Sequence, residues 1–252
     1  MPRHRWLLMI ALLVLVPLTA LGQRGDPFGF GRSRFGVNPN VRYDGRFNMV
    51  RIRYLGNRSW SADYPAMERN LTTMMNELTS VDAIADDNNV YTFDDPELLK
   101  YPVIYLTEPG YWYPTDEEVE GLRRFLAKGA FLIVDDFHFE NEWAVFENAM
   151  RRVLPSGRIE PLTIDHPVFN SFFEIKSLRV PYPGRLGEMG LYGEFYGIHE
   201  GNDPARRLMV MINYNMDIGD YMEWSATGTY AMAPTNEAYK FMINYIIYGL
   251  TH

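Results

Sequence analysis

The sequence predicts an α/β domain, a doubly wound and mostly parallel sheet with helices on both faces. Three observations predict it. The runs Pro102–Thr107 and Ala130–Val134 have the length and continuous apolar character of strands buried on both sides. Between them lies a stretch with helical spacing, and strand–helix–strand order favours parallel pairing. A chain of 252 residues with 47% hydrophobic and 15% aromatic content can also bury one sizeable core.

The elements follow in order. Met49–Leu55 reads as a first strand, and Asp63 as the N-cap of a helix whose apolar face is Met67, Leu71, Met74, Met75 and Leu78. A short extended segment is expected near Val90–Phe93. Thr115 and Glu118 form a capping box ahead of the stripe Val119, Leu122, Phe125 and Leu126, and Gly129 marks the stop. The Ala130–Val134 strand comes next, then a helix over about Glu142–Val153 that ends before Pro155. Leu208–Asn213 is a strand expected to pair with one near Phe195–His199. Thr235 is placed as the cap of a terminal helix with Ala238, Phe241, Met242, Tyr245 and Ile246 inward.

The domain so outlined covers residues 47–252. Residues 1–22 have the form of an export signal: Arg3, His4 and Arg5, then the apolar run Leu7–Val16, then the small-x-small site Ala20-Leu21-Gly22. That run is short against the roughly 20 residues that span a bilayer, which favours cleavage near Gly22 over a retained anchor. Residues 23–46, rich in Gly and Arg, read as a flexible or loosely docked arm. The expected location is the periplasm or cell envelope, with no transmembrane span left after cleavage.

Cysteine is absent, which removes disulfides, thiolate metal sites and cysteine nucleophiles. Cleavage would leave 22 basic against 32 acidic residues. Within that balance, residues 23–58 hold eight Arg against two Asp. An acidic body argues against a nucleic-acid partner. The basic arm can touch an anionic surface or dock on its own acidic domain.

No nucleophile elbow, Walker loop, H-E-x-x-H or strand-borne G-x-G-x-x-G occurs, so no motif fixes a chemistry and no cofactor is required. The candidate residues lie where strands end, because ligands of open α/β sheets sit at the carboxyl ends of strands. Asp135, Asp136, His138 and Glu140 follow the apolar run directly, with Asp165 and His166 as further members. Asp135, Asp136, His138 and His166 are the metal candidates, since carboxylates with imidazole suit Mn, Mg or Zn. They also suit an acid–base pair acting on water. Against both stands the plain alternative that Asp caps turns and that Asp165-His166-Pro167 opens a short helix.

Thr107 and Glu108 end the neighbouring strand, and Tyr111-Trp112-Tyr113 follow in a loop. Those rings either stack on a ligand or cover the sheet edge. The acid-rich segment Asn213–Trp224 reads as a lid or wall of the same cleft, because it lacks the spacing of a calcium loop.

The segments Met49–Tyr54, Tyr101–Thr107, Thr115–Val119, Gly129–Asp136 and Pro161–Phe169 follow one another as in the domain-of-unknown-function 4159 family, which the chain resembles over about residues 47–250. That family is similar in fold to class I glutamine amidotransferase-like domains, including the trehalose-utilisation type, where an Asp-His-Pro segment also occurs. The resemblance implies a flavodoxin-like three-layer sandwich, a bacterial envelope location and no established activity. Amidotransferase chemistry needs a cysteine, so only the cleft's place near Thr107, Asp135 and Asp136 carries over. Two functions follow as expectations. One is a non-catalytic accessory domain binding an envelope protein or a small ligand, including a glycan. The other is a metal-assisted hydrolase acting on a glycan or amide.

Overall fold

The computed structural model describes residues 37–252 except 57, 58, 63 and 87. The expected signal segment, residues 23–36 of the arm and the Asp63 cap lie outside the described residues. Seven strands form one sheet: β1 (Val50–Ile52), β2 (Asn89–Tyr91), β3 (Val103–Thr107), β4 (Phe131–Asp135), β5 (Glu160–Pro161), β6 (Glu194–His199) and β7 (Leu208–Tyr214). The helices are α1 (Ala66–Leu78), α2 (Asp116–Ala127), α3 (Phe139–Val153), α4 (Arg185–Glu188), α5 (Ile218–Glu223) and α6 (Met232–Thr251). The chain is thus mixed α/β.

Strand order is β2-β1-β3-β4-β7-β6-β5. The pairs from β2 to β7 are parallel, and β6 and β5 add on antiparallel at one side. A short link suffices between β6 and β7 because antiparallel neighbours need no helical crossover. A register shift falls between Ile198 and His199.

Alternation along the central strands sorts the core into two layers. Val103, Tyr105, Phe131 and Ile133 pack with Met67 and Leu71 of α1 and with Phe241, Tyr245 and Ile246 of α6. Ile104, Leu106, Leu132 and Val134 turn the other way, against Leu122, Phe125 and Leu126 of α2 and Phe146 and Met150 of α3. Each such side chain contributes about 2 kcal/mol by leaving water.

The capping box forms as expected, with Glu118 N donating to Thr115 Oγ1 at 3.2 Å and Thr115 N to Glu118 Oε2 at 2.9 Å. Gly121 is required because a Cβ there would meet Phe93 O at 2.0 Å. Several boundaries differ from expectation, and α3 starts at Phe139 rather than near Glu142. The terminal helix starts at Met232, so Thr235 lies inside its first turn, its hydroxyl donating back to Ala231 O at 3.0 Å. β1 covers only three residues, although Arg53 N still donates to Tyr91 O at 2.8 Å.

Residues 37–46 are docked. Val37 is buried, Asn40 exchanges two 2.8 Å bonds with the Val90 backbone, and the Asn89 side chain does the same with Val41. This occupies the outer edge of β2, which would otherwise offer unpaired amides. No helix among the described residues is long and apolar enough to cross a membrane.

Candidate functional site

The carboxyl ends of β1, β3, β4 and β7 meet at one edge, and Asp135 lies at its base. Its carboxylate is fully buried and accepts four hydrogen bonds. Tyr105 Oη donates at 2.9 Å, Asn213 Nδ2 at 3.0 Å, and the Ile218 and Gly219 amides at 2.9 and 3.0 Å. Tyr245 Oη in turn donates to Asn213 Oδ1 at 3.0 Å. Three strands and the start of α5 therefore close on one side chain. Burial pushes its pKa up to about 6, against the four donors that favour the charged form.

A second buried charge flanks it. Arg51 of β1 faces the same layer and pairs with Glu68 of α1, both side chains being fully buried. Its guanidinium donates to Trp60 O at 3.0 Å and sits 5.4 Å from the Tyr105 ring centre. The row Arg51, Tyr105, Asp135 and Asn213 thus ties neighbouring strands together beneath the edge.

Above that row the backbone is strained. Glu108, Asn215, Asp136 and Phe139 take φ of 47, 52, 58 and 60°, in the left-handed region that residues with a Cβ enter at a cost of about 1–3 kcal/mol. Backbone pairing holds these turns: Glu108 N donates to Asp135 O, Asp136 N to Met216 O and Asn215 N to Phe137 O, at 3.0–3.1 Å. Phe139 N donates to Asn215 Oδ1 at 3.0 Å.

What reaches solvent here is acid and ring. Tyr182 Oη donates to Asp136 Oδ1 at 3.3 Å, and the His138 ring lies edge-on to Tyr182 at 5.4 Å. His138 N donates to Glu142 Oε2 at 2.7 Å, while its Nδ1, 3.5 Å from the same oxygen, makes no hydrogen bond. The Tyr111 phenol is pushed up by Glu142 first, then by burial, Glu108 and Asp136, so those three carboxylates surround it. Burial, then Glu108 and Asp136, raise Tyr54, whose hydroxyl donates to Glu108 O at 2.7 Å.

The sequence candidates divide accordingly. Thr107, Glu108, Tyr111, Asp135, Asp136, His138 and Glu140 share this edge, with Thr107 buried and its hydroxyl without a partner among the described residues. The aromatic loop splits: Tyr111 and Tyr113 are exposed, but Trp112 is fully buried, 5.2 Å from Phe93. Asp165 and His166 lie at the opposite end of the sheet. His166 contacts His199, which pairs with Leu208 at the start of β7, whereas Asp135 bonds Asn213 five residues further along. Five strand residues span about 17 Å, so His166 cannot share an ion with Asp135. Among the described residues no group of three His, Asp or Glu side chains is gathered for a metal.

Sequence reasoning did not single out Tyr54, Tyr105, Tyr182 or His199, and it named Asn213 only as the start of a lid or wall. Asn213 and Tyr105 carried a readable mark, a polar group inside an apolar strand, which demands an internal partner.

No curated protein matches the chain. Among solved structures it is similar to a protein from Bacteroides uniformis ATCC 8492 described as thua-like, at 17% identity and a TM-score of 0.29. That match covers 66% of each chain. The family model for the domain of unknown function DUF4159 matches residues 48–250, and the chain belongs to that family.

Proposed function

We propose that this chain is a non-catalytic accessory domain of the cell envelope, exported by its N-terminal segment, that binds a cationic partner segment at the carboxyl edge of the sheet. Its scaffold is read as the doubly wound, class I glutamine amidotransferase-like arrangement. One observation carries the reading: the innermost carboxylate, Asp135, is fully buried and engaged by four internal donors, three on Oδ2 and one on Oδ1. A base or metal ligand must face the substrate, and Asp135 is fully buried behind the donors it serves. What faces outward is Glu108, Asp136 and Glu142 around Tyr111, with Tyr113 and Phe139 exposed beside them. Acid and rigid ring together recognise cations, through charge and through ring faces. The hydrolase reading finds no support here, because its four residues are divided between two ends of the sheet.

The test is titration with an arginine-rich hexapeptide, an acidic hexapeptide and a neutral oligosaccharide, followed by calorimetry. The basic peptide alone is expected to bind, weakening steeply with salt, and Asp136→Asn and Tyr113→Ala are each expected to cost about 5- to 10-fold in affinity. Binding of the oligosaccharide alone, or of nothing, would overturn the cationic reading. Hydrolysis of an amide or glycan that Asp136→Asn abolishes would overturn the non-catalytic one.

A further inference from the structure

A groove of about 690 Å³ opens on the layer formed by α1 and α6. Its walls are apolar: Met74 and Leu78 of α1, Phe173 and Val180 of the segment before α4, and Pro234 and Tyr239 of α6. A second groove of about 600 Å³, reaching Tyr230 and Met232, shares Met74, Asn236 and Tyr239 with the first. The two therefore form one elongated space along the first turns of α6. Each lies in the range of about 300–1,000 Å³ that suits small-molecule sites. Leu78 is 49% and Met232 78% exposed, and large apolar side chains left in water around a concavity mark a place for an apolar ligand.

The charge lining this space is basic within an acidic body. Residues 59–252 hold 14 Lys and Arg against 30 Asp and Glu. The first groove reverses that balance, with Lys176, Arg179 and Lys240 against Glu174 and Glu237. Lys240 Nζ donates to Glu237 Oε1 at 2.6 Å, and Lys176 stands 3.9 Å from Glu174. Arg179 has no carboxylate partner among the described residues, and its guanidinium carbon lies 3.8 Å from the Tyr192 ring centre. Stacking uses the face of the guanidinium and leaves its in-plane N–H groups for a two-oxygen acceptor.

We propose that the joined grooves bind a fatty-acid anion, its carboxylate on Arg179 and its chain running past Met74 and Tyr239 towards Met232. An acyl chain needs only apolar walls and elongated space, and these are what α1 and α6 supply. A sugar or nucleotide would need several convergent polar groups, which such walls do not offer. The carboxylate supplies the planar acceptor that Arg179 lacks, and Lys176 adds charge at the same head. The space is concave and takes a single chain, whereas a bilayer surface would need an apolar face that enters it. Nothing in this site draws on Asp136, Glu142 or the rings beside them, so it is additional to the acidic edge.

The experiment titrates the whole chain with decanoate, dodecanoate and decanol, each below its micelle or solubility limit, by calorimetry. One decanoate per chain is expected. Two further carbons should tighten binding about 10-fold, the effect of burying two methylenes. Decanol, which has the chain but no charge, should bind about 10-fold more weakly than decanoate. Arg179→Gln, at an exposed position, should weaken decanoate about 10-fold and leave decanol unchanged, a split that general loss of structure would not produce. Ala233→Trp, exposed in the groove wall, should weaken acid and alcohol alike. No saturable binding, affinity indifferent to chain length, or decanoate affinity untouched by either substitution would overturn the proposal. The outcome is independent of the peptide titration, because the groove shares no residue with the acidic edge.

Discussion

The two ends of the sheet use the same side-chain types in opposite ways. At the carboxyl end a buried acid is held by internal donors: two amides, a tyrosine and an asparagine converge on Asp135. At the amino end two imidazoles face each other with one nitrogen unsatisfied. The lesson is that an acid at a strand terminus is a structural lock when the next helix begins on top of it. A histidine pair with one buried, unsatisfied donor is instead a local weak point, at a cost of about 1–3 kcal/mol.

The sharpest way to break this comparison is Asp135→Ala. Four donors lose their acceptor inside the core, so unfolding free energy should fall by about 4 kcal/mol and the melting temperature by about 10 °C. Urea denaturation measures it. An unchanged midpoint would mean that Asp135 is not the lock.

Trp112→Ala separates covering rings from displayed ones. Trp112 is fully buried against Phe93, so its removal should cost about 3–5 kcal/mol. Tyr113→Ala, on a side chain 68% exposed, should stay within about 0.5 kcal/mol. Equal effects at the two positions would show that the loop is not divided as described.

Asp135→Asn isolates the charge. Its Oδ1 can accept from Tyr105, Ile218 and Gly219, and Asn213 can turn over if the Tyr245 hydroxyl rotates to accept. The wild-type carboxyl binds its proton more tightly folded than unfolded, since its pKa rises from 3.8 to about 6. This group's stabilisation is therefore full below 3.8 and is lost as pH rises through 6. Relative to the variant, wild-type stability should decline by about 3 kcal/mol between pH 3.5 and pH 7. A difference that stays flat with pH would place the folded pKa near its ordinary value.

Much of the scaffold was legible because burial on both faces writes itself as continuous apolar runs. The capping box and the pairing of Leu208–Asn213 with Phe195–His199 were readable for similarly local reasons. The candidate edge was legible in position, because Thr107 and Asp135 end adjacent parallel strands in register. Its internal wiring was not. Asp135 and Gly219 are 84 positions apart, and no local pattern says that α5 starts on the carboxylate. Arg51 reads only as part of the first strand, and nothing local shows that Glu68 on α1 holds it inside. His166 was misplaced for a topological reason: β6 runs antiparallel to β7, which carries His199 and its partner to the far end. Trp112 was ambiguous because three successive rings carry no periodicity.

The smallest expected effect comes from protons at the histidine pair. His166 titrates near 4 when folded against 6.5 unfolded, so its contribution to stability is present above 6.5 and is lost as pH falls towards 4. Protonation places a hydrogen on His166 Nδ1, where the Val168 amide points, while the Nε2–H still donates to His199 Nε2 across 3.1 Å. Acid should therefore open the Pro167–Phe169 turn before the sheet melts. Hydrogen exchange at Val168 should accelerate between pH 5 and pH 4 beyond its intrinsic pH dependence, while amides of β3 and β4 hold their protection. His166→Asn can cap the same turn through its side-chain oxygen without titrating, so it should abolish that excess. Val168 exchange that follows global unfolding at every pH would show instead that the pair is welded into the core.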